Sequence, residues 1–221
     1  MEQILVEELF KERIDAIWKD KKYESAELRD RGYAIPKKVL CDAIMFIGSN
    51  PSLRKNDFSQ GESSFYTRKS EESAEKDFPY FNKFVEVSEK VNFPWTHLDL
   101  LYVRETGQKL IKAYCSKVNE PFFDFAKQQC LMSKEIIERA KPRIIVVSNA
   151  YARDLMFNGN TENGAFKCSF DENIGTLRIE NHPTLSGTPV FFTSMLTGQR
   201  ALDLGSYDRL IWHIKFVLSK M

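Results

Sequence analysis

Little in this sequence is concentrated. Its four cysteines, Cys41, Cys115, Cys130 and Cys168, are too scattered for a CxxC pair or for the ligand spacing of a zinc or iron–sulfur site. Reduced thiols in an intracellular protein are the expectation. Histidine is scarcer still: His97, His182 and His213 do not share metal-ligand spacing, so no metal site is expected. No apolar run approaches the roughly 20 residues that span a bilayer. The opening MEQILVEELFKER is too charged for a signal peptide, which predicts a cytoplasmic protein without membrane contact. Charge of one sign is missing too: 32 Lys and Arg against 31 Asp and Glu leave a net +1. That excludes a molecule-wide field for nucleic acid and leaves only a local basic patch. Finally, GxGxxG, GxxxxGK[ST] and GxSxG are all absent. Dinucleotide binding, P-loop chemistry and an esterase nucleophile elbow therefore lose support.

What the chain does have is material for a core. Apolar residues make up 43% and charged residues 29% of 221 positions, an ordinary globular balance that suffices for one sizeable α/β domain. The 17 phenylalanines predict an aromatic-rich interior. Val6, Leu9, Phe10, Ile14, Ile17 and Trp18 recur at helical spacing, which predicts a helix over 3–31 that stops at Gly32. Residues 1–32 thus read as a helical extension packed on the rest. Apolar runs at 44–47, 95–103, 143–150 and 189–196 predict four buried strands. YFNKFVEVSEKV, PFFDFAKQQCLMSKEIIERAKP, AYARDLMF and SYDRLIWHIKFVLSK predict helices, and residues 165–180 alternate around Asp171–Gly175 as a hairpin. The order of elements predicts an α/β fold in a single domain over 1–221. Its form is a three-layer α/β/α sandwich with a mostly parallel four-stranded central sheet plus a small added hairpin. Residues 53–77 are polar and long for a plain connection, the kind of loop that carries function or stays without order.

In such a sheet ligands bind at the carboxyl ends of the strands. The four strands end in GSNPS, HLDLL, SNA and SMLTGQR. Gly-x-Asn-Pro after the first strand and TSMLTGQR after the last resemble the uracil-DNA glycosylase superfamily, closest to its mismatch-specific and single-strand-selective branches. The resemblance covers roughly residues 40–218 in element order. It implies a DNA glycosylase of base excision repair, which hydrolyses the N-glycosidic bond of a uracil or modified base flipped out of DNA. It also implies duplex or single-stranded DNA as partner, no cofactor, and a monomer.

The resemblance carries over residue by residue. Asn50 matches the residue that positions the attacking water, and Gly48, Ser49, Pro51 and Ser52 complete its loop. The sugar becomes oxocarbenium-like as the bond breaks, so a neutral amide can orient water without being a strong base. Read alone, Ser-Asn-Pro-Ser is equally a turn. The family's stacking aromatic falls in the segment holding Phe65 and Tyr66, with a core role as the alternative for Phe65. His97 and Asp99 point to one sheet face. Asp99 stands where the family has an Asn that reads the base edge. A carboxylate only accepts hydrogen bonds, so it suits an exocyclic amine or a ring N–H better than uracil O4. The DNA-contacting loop matches Ser194, Met195, Leu196, Thr197, Gly198, Gln199 and Arg200. There Ser194, Thr197, Gln199 and Arg200 would meet phosphates, and Leu196 or Met195 would wedge into the vacated stack. HPTLSG, from His182, is spelled more like the family's His-Pro-Ser loop, but it precedes the fourth strand, and chain order favours SMLTGQR. Arg54, Lys55, Arg68, Lys69 and Arg200 would supply a local basic patch. The competing readings are a catalytically inactive nucleic-acid-binding relative on the same fold and an unrelated α/β enzyme.

Overall fold

The four apolar runs become four strands lying side by side, because each is buried on both faces and can satisfy its backbone only within a sheet. The computed structural model describes residues 1–53, 63–67, 79–157, 166–180, 182–198 and 201–221. Its strands are β1 (Gln3–Leu5), β2 (Ala34–Pro36), β3 (Lys38–Leu40), β4 (Ile44–Gly48), β5 (Ser64–Tyr66), β6 (Trp95–Asp99), β7 (Ile144–Val147), β8 (Lys167–Asp171), β9 (Thr176–Glu180) and β10 (Pro189–Phe192). Its α-helices are α1 (Val6–Lys19), α2 (Pro79–Val91), α3 (Gln108–Cys115), α4 (Pro121–Ala140), α5 (Ala150–Phe157) and α6 (Leu204–Leu218).

The central sheet runs in the order β6-β4-β7-β10-β9-β8. The first four strands are mutually parallel, with Gly48 opposite Asp99 and Ile47 opposite Val147. The expected hairpin is β8 and β9, and it is not a separate addition. β9 pairs antiparallel with β10, making one mostly parallel sheet of six strands rather than four. The hairpin supplies the ladder that the outer edge of β10 would otherwise lack. The two faces of the sheet carry different clusters, as side-chain alternation dictates. Met45, Ile47, Leu98, Ile145 and Val147 pack with residues of α1, α4 and α5. Ile44, Phe46, Ile144, Val146 and Phe191 pack with residues of α2 and α6.

Two departures from the sequence reading have local causes. The helix expected over 3–31 is only α1, preceded by β1, which pairs with β3, and followed by short 3-10 turns at Lys21–Tyr23 and Arg29–Arg31. Asp20 ends it by adopting an extended backbone and accepting a hydrogen bond from the Lys22 N–H. Val6, Phe10 and Ile14 are fully buried, so residues 1–32 contribute to the core. The second strand ends at Asp99 instead of continuing to 103. From there α4 takes over the backbone: Gln129 Oε1 accepts from the N–H groups of Tyr102 and Val103, at 2.7 and 3.1 Å. Ser133 Oγ donates toward the carbonyls of Leu100 and Asp99, at 3.0 and 3.3 Å. These two buried polar side chains hold the strand exit in place.

Among the described residues no helix is long and apolar enough to cross a membrane. All four cysteines are free thiols, Cys41 buried and the others half-buried. Burial pushes the thiols of Cys130 and Cys168 up to about 12.

Candidate functional site

The GSNPS stretch does not reverse the chain. The Gly48 and Ser49 carbonyls accept from the N–H groups of Leu100 and Leu101, and the Pro51 carbonyl accepts from Glu105, at 2.9–3.1 Å. The segment therefore runs on beside residues 100–105 as a continuation of β4. Asn50 fastens the two together. Its Nδ2 donates to the Glu105 carbonyl at 2.6 Å and the Pro51 carbonyl at 3.1 Å. Its Oδ1 accepts one hydrogen bond, from Ser49 Oγ at 3.0 Å. With the amide nitrogen committed, the orientation of Oδ1 is fixed, and a carbonyl oxygen accepting once retains capacity for a second donor such as water. Asn50 is half-buried, Ser49 buried and Ser52 exposed.

Across the ladder, β6 delivers His97 and Asp99 to the same sheet face as Gly48. The glycine is there for want of space. A Cβ at position 48 would collide with Asp99 Oδ1 and stand 3.3 Å from His97 Nε2. The close approach that Gly48 allows is thus made by Asp99 itself. Both side chains are buried, His97 at 1% and Asp99 at 7% exposure, and His97 Nε2 lies 3.6 Å from Asp99 Oδ1. That separation is longer than a direct hydrogen bond between the two. Helix α2 supplies an aromatic wall. Phe84 stacks on the His97 ring at 5.6 Å and 22°, and Phe81 and Tyr80 meet it edge-on at 5.3 and 5.9 Å.

Tyr80 is a site residue that sequence reading missed. Its phenol lies within hydrogen-bonding reach of Ser148, just past β7, and within electrostatic reach of Asp99 and Tyr66. Burial foremost, and then the Asp99 charge, push its pKa up, so the hydroxyl stays protonated at neutral pH. The only available signal was the aromatic spacing of YFNKF, which is also what a core helix shows. Asn50, Asp99 and Ser148 thus stand at the carboxyl ends of β4, β6 and β7, and His97 lies beside Asp99 with the Tyr80 ring of α2 packed on it.

Several expected residues lie elsewhere. Phe65 packs into the cluster beneath α1, with the Tyr33 ring 5.6 Å away and Lys11 Nζ 5.4 Å over its face. Alternation along β5 sends Phe65 to the opposite side from Tyr66, which shares the Tyr80 surroundings, so Tyr66 rather than Phe65 is the aromatic of that pair near Asp99. Leu196 is 5% exposed and belongs to the core cluster of α2 and α6. Burial anchors it as the foot of its loop, while Met195 is half-buried. Ser194 and Gly198 are exposed and Thr197 is half-buried. Gly198 has φ 89°, the left-handed conformation that suits glycine, and its carbonyl accepts from the Ala201 N–H at 3.1 Å. Gln199, Arg200, Arg54, Lys55, Arg68 and Lys69 lie outside the described residues.

His182 sits at the amino-terminal side of β10. Its Nε2 bonds Glu138 at 2.9 Å, and its Nδ1 accepts from the N–H groups of Thr184 and Leu185, both at 3.3 Å. That ring staples a turn. A groove beside it, bordered by Asp42, Arg143, Ser186 and Thr188, lies at the same edge, away from Asn50. His213 bonds the Ile174 carbonyl at 2.6 Å, beside the β8–β9 turn. Among the described residues no group of three or more His, Cys, Asp or Glu side chains is placed to hold a metal ion. Compared with protein-family models and with curated proteins, the chain matches none.

Proposed function

We propose that this protein is a DNA glycosylase of the uracil-DNA glycosylase type, acting in the cytoplasm on a base flipped into the crevice at the strand carboxyl ends. The observation that carries the reading is the state of Asn50. Its Nδ2 is tied to the Glu105 and Pro51 carbonyls, so its Oδ1 is pre-oriented to hold a water. The water oxygen bonds to C1′ as the C1′–N bond breaks and its electron pair leaves with the base. The water's proton then completes the neutral base. Asp99 accepts from the base edge, and the Tyr80 hydroxyl supplies a donor beside it. Four parallel strands between helices, taken as a three-layer arrangement, support the same reading, as does a loop after β10 with exposed Ser194 and half-buried Met195.

The test is base release from duplex and single-stranded oligonucleotides carrying uracil, hypoxanthine or cytosine derivatives. Asn50→Ala is expected to lower the single-turnover rate by about a hundredfold, the usual cost of losing reactant positioning. Asp99→Asn is expected to shift preference toward uracil. A wild-type protein that releases nothing across the panel excludes the glycosylase.

One observation favours a second reading. The Asp99 carboxylate fills the space over Gly48, where a base could otherwise approach the backbone. In that reading the protein is a non-catalytic relative that holds nucleic acid without cutting. It predicts salt-dependent oligonucleotide binding with no base release by wild type.

A further inference from the structure

The outer face of α3 has no counterpart among the described helices. Residues 106–119 carry Lys109, Lys112 and Lys117 and no Asp or Glu. All three lysines are exposed. Lys109 and Lys112 are one turn apart and share their face with Ala113 and Ser116, while Ile111 is buried on the other side. On α1 and α2 several cations are neutralised by nearby carboxylates. Lys11 and Lys19 pair with Asp15, Arg13 with Glu135, and Lys83 and Lys90 with Glu86. The α3 lysines make no ion pair among the described residues. Lys112 instead lies 5.0 Å over the Tyr151 ring and Lys117 5.4 Å over Tyr114. The preceding carboxylate, Glu105, is turned inward to Arg31 and the Gly107 N–H.

The helix is also fastened to the site. Thr106 Oγ1 donates to the Leu53 carbonyl at 2.7 Å, Gln108 Nε2 donates to Asn149 Oδ1 at 2.8 Å, and Asn50 grips Glu105. These bonds set the start of α3 against the carboxyl ends of β4 and β7.

We infer that α3 is a phosphate-contacting rim of the site, which takes the sugar–phosphate backbone of the nucleic acid whose base enters beside Asn50. The occupant follows from charge complementarity. Lys109 and Lys112 on α3 and Lys117 in the turn just after it make no ion pair among the described residues, and a segment on the order of 12 Å long meets the phosphates of neighbouring nucleotides. A membrane surface fits less well, because Ile111 is already used in the core and the exposed apolar residues of this segment, Leu110 and Val118, are few and eight positions apart. The inference rests on the proposed nucleic-acid function of the site, and it adds a partner surface that does not depend on which base is read.

The experiment uses the full chain and a fluorescent 20-nucleotide oligonucleotide, single-stranded and duplex, titrated across salt concentrations. Lys109→Glu/Lys112→Glu/Lys117→Glu is expected to bind at least tenfold more weakly at low salt. Its slope of log affinity against log salt should fall by about 2, given roughly 0.7–0.9 for each phosphate that is no longer neutralised. The Gln versions of the three positions should show a smaller change of the same sign. Lys11→Glu/Lys19→Glu, on α1, should leave affinity and slope unchanged. Wild-type affinity and slope in the triple Glu variant would overturn the inference. So would wild-type binding to phosphatidylserine vesicles with no binding to either oligonucleotide. If wild type binds through these lysines yet releases no base, the glycosylase reading falls and the surface stands. If it releases base while the lysine variants bind normally, the surface falls and the glycosylase stands.

Discussion

The two edges of the parallel sheet are built from similar residue types put to opposite uses. At the amino edge His182 is held by Glu138 and two backbone N–H groups, and Arg143 is paired with Asp42 at 2.8 Å. Those groups answer one another and tie turns to helices. At the carboxyl edge another His–carboxylate pair, His97 and Asp99, is buried against an aromatic wall with a protonated Tyr80 hydroxyl and the fixed Asn50 carbonyl beside it. What distinguishes the edges is therefore not composition. It is placement: at the amino edge the polar groups tie turns to helices, and at the other they lie where parallel strands end, the place at which such sheets take ligands.

The contrast is broken most visibly at Gly48. Gly48→Ala at the carboxyl edge should destabilise the protein by about 2–3 kcal/mol in urea unfolding, since the new Cβ meets a buried carboxylate that has little room to move. In an Asp99→Ala background the same change should cost under about 1 kcal/mol. Equal costs in both backgrounds would mean that Asp99 is not what Gly48 accommodates. A smaller effect tests the amino edge: His182→Ala should lose about 1–2 kcal/mol of stability while leaving base release at the wild-type rate. A large fall in rate there would place the chemistry at the wrong edge.

The smallest effect concerns the ion pairs along α2, the helix that supplies the aromatic wall of the carboxyl edge. Lys83 and Lys90 bond the Glu86 carboxylate and hold its pKa well below the ordinary 4.5, at about 2. A depressed carboxylate pKa means the pairs stabilise fully above about 4.5 and lose that contribution as pH falls through about 2. Because these side chains are partly exposed, Glu86→Gln should cost only a few tenths of a kcal/mol at pH 7. The difference from wild type should vanish in acid-unfolding curves near pH 2. A growing difference on acidification would contradict the pairing.

The central strands are legible in the sequence because long apolar runs have few places to go. β7 and β10 fall inside the expected segments, β4 runs one residue past its segment to Gly48, and β6 starts where its run begins at Trp95. The short outer strands β1, β2, β3 and β5 are not legible, since three-residue pairings leave no periodicity to detect. Helix α3 escapes for a related reason: eight residues with one fully buried side chain are too few turns to establish a helical period. At the site, Asn50, Asp99 and His97 are marked by their position after strands. Tyr80 is not, because an aromatic facing a site and one facing a core look the same in a helix. Phe65 and Leu196 show the converse, being plausible site residues by segment that the fold turns into its interior.

Local pattern alone dictates that β-branched and aromatic runs form buried parallel strands, and that small polar residues follow them. Hydrophobic burial and backbone hydrogen bonding act on those patterns wherever they occur. The remaining features belong to the assembled fold. It sets Gly48 opposite Asp99, commits the Asn50 amide nitrogen to Glu105, brings Tyr80 to Ser148 and leaves the α3 lysines exposed. Each of these depends on residues distant in the chain, and register, side-chain alternation and helix docking bring such residues together only once the whole sheet has formed.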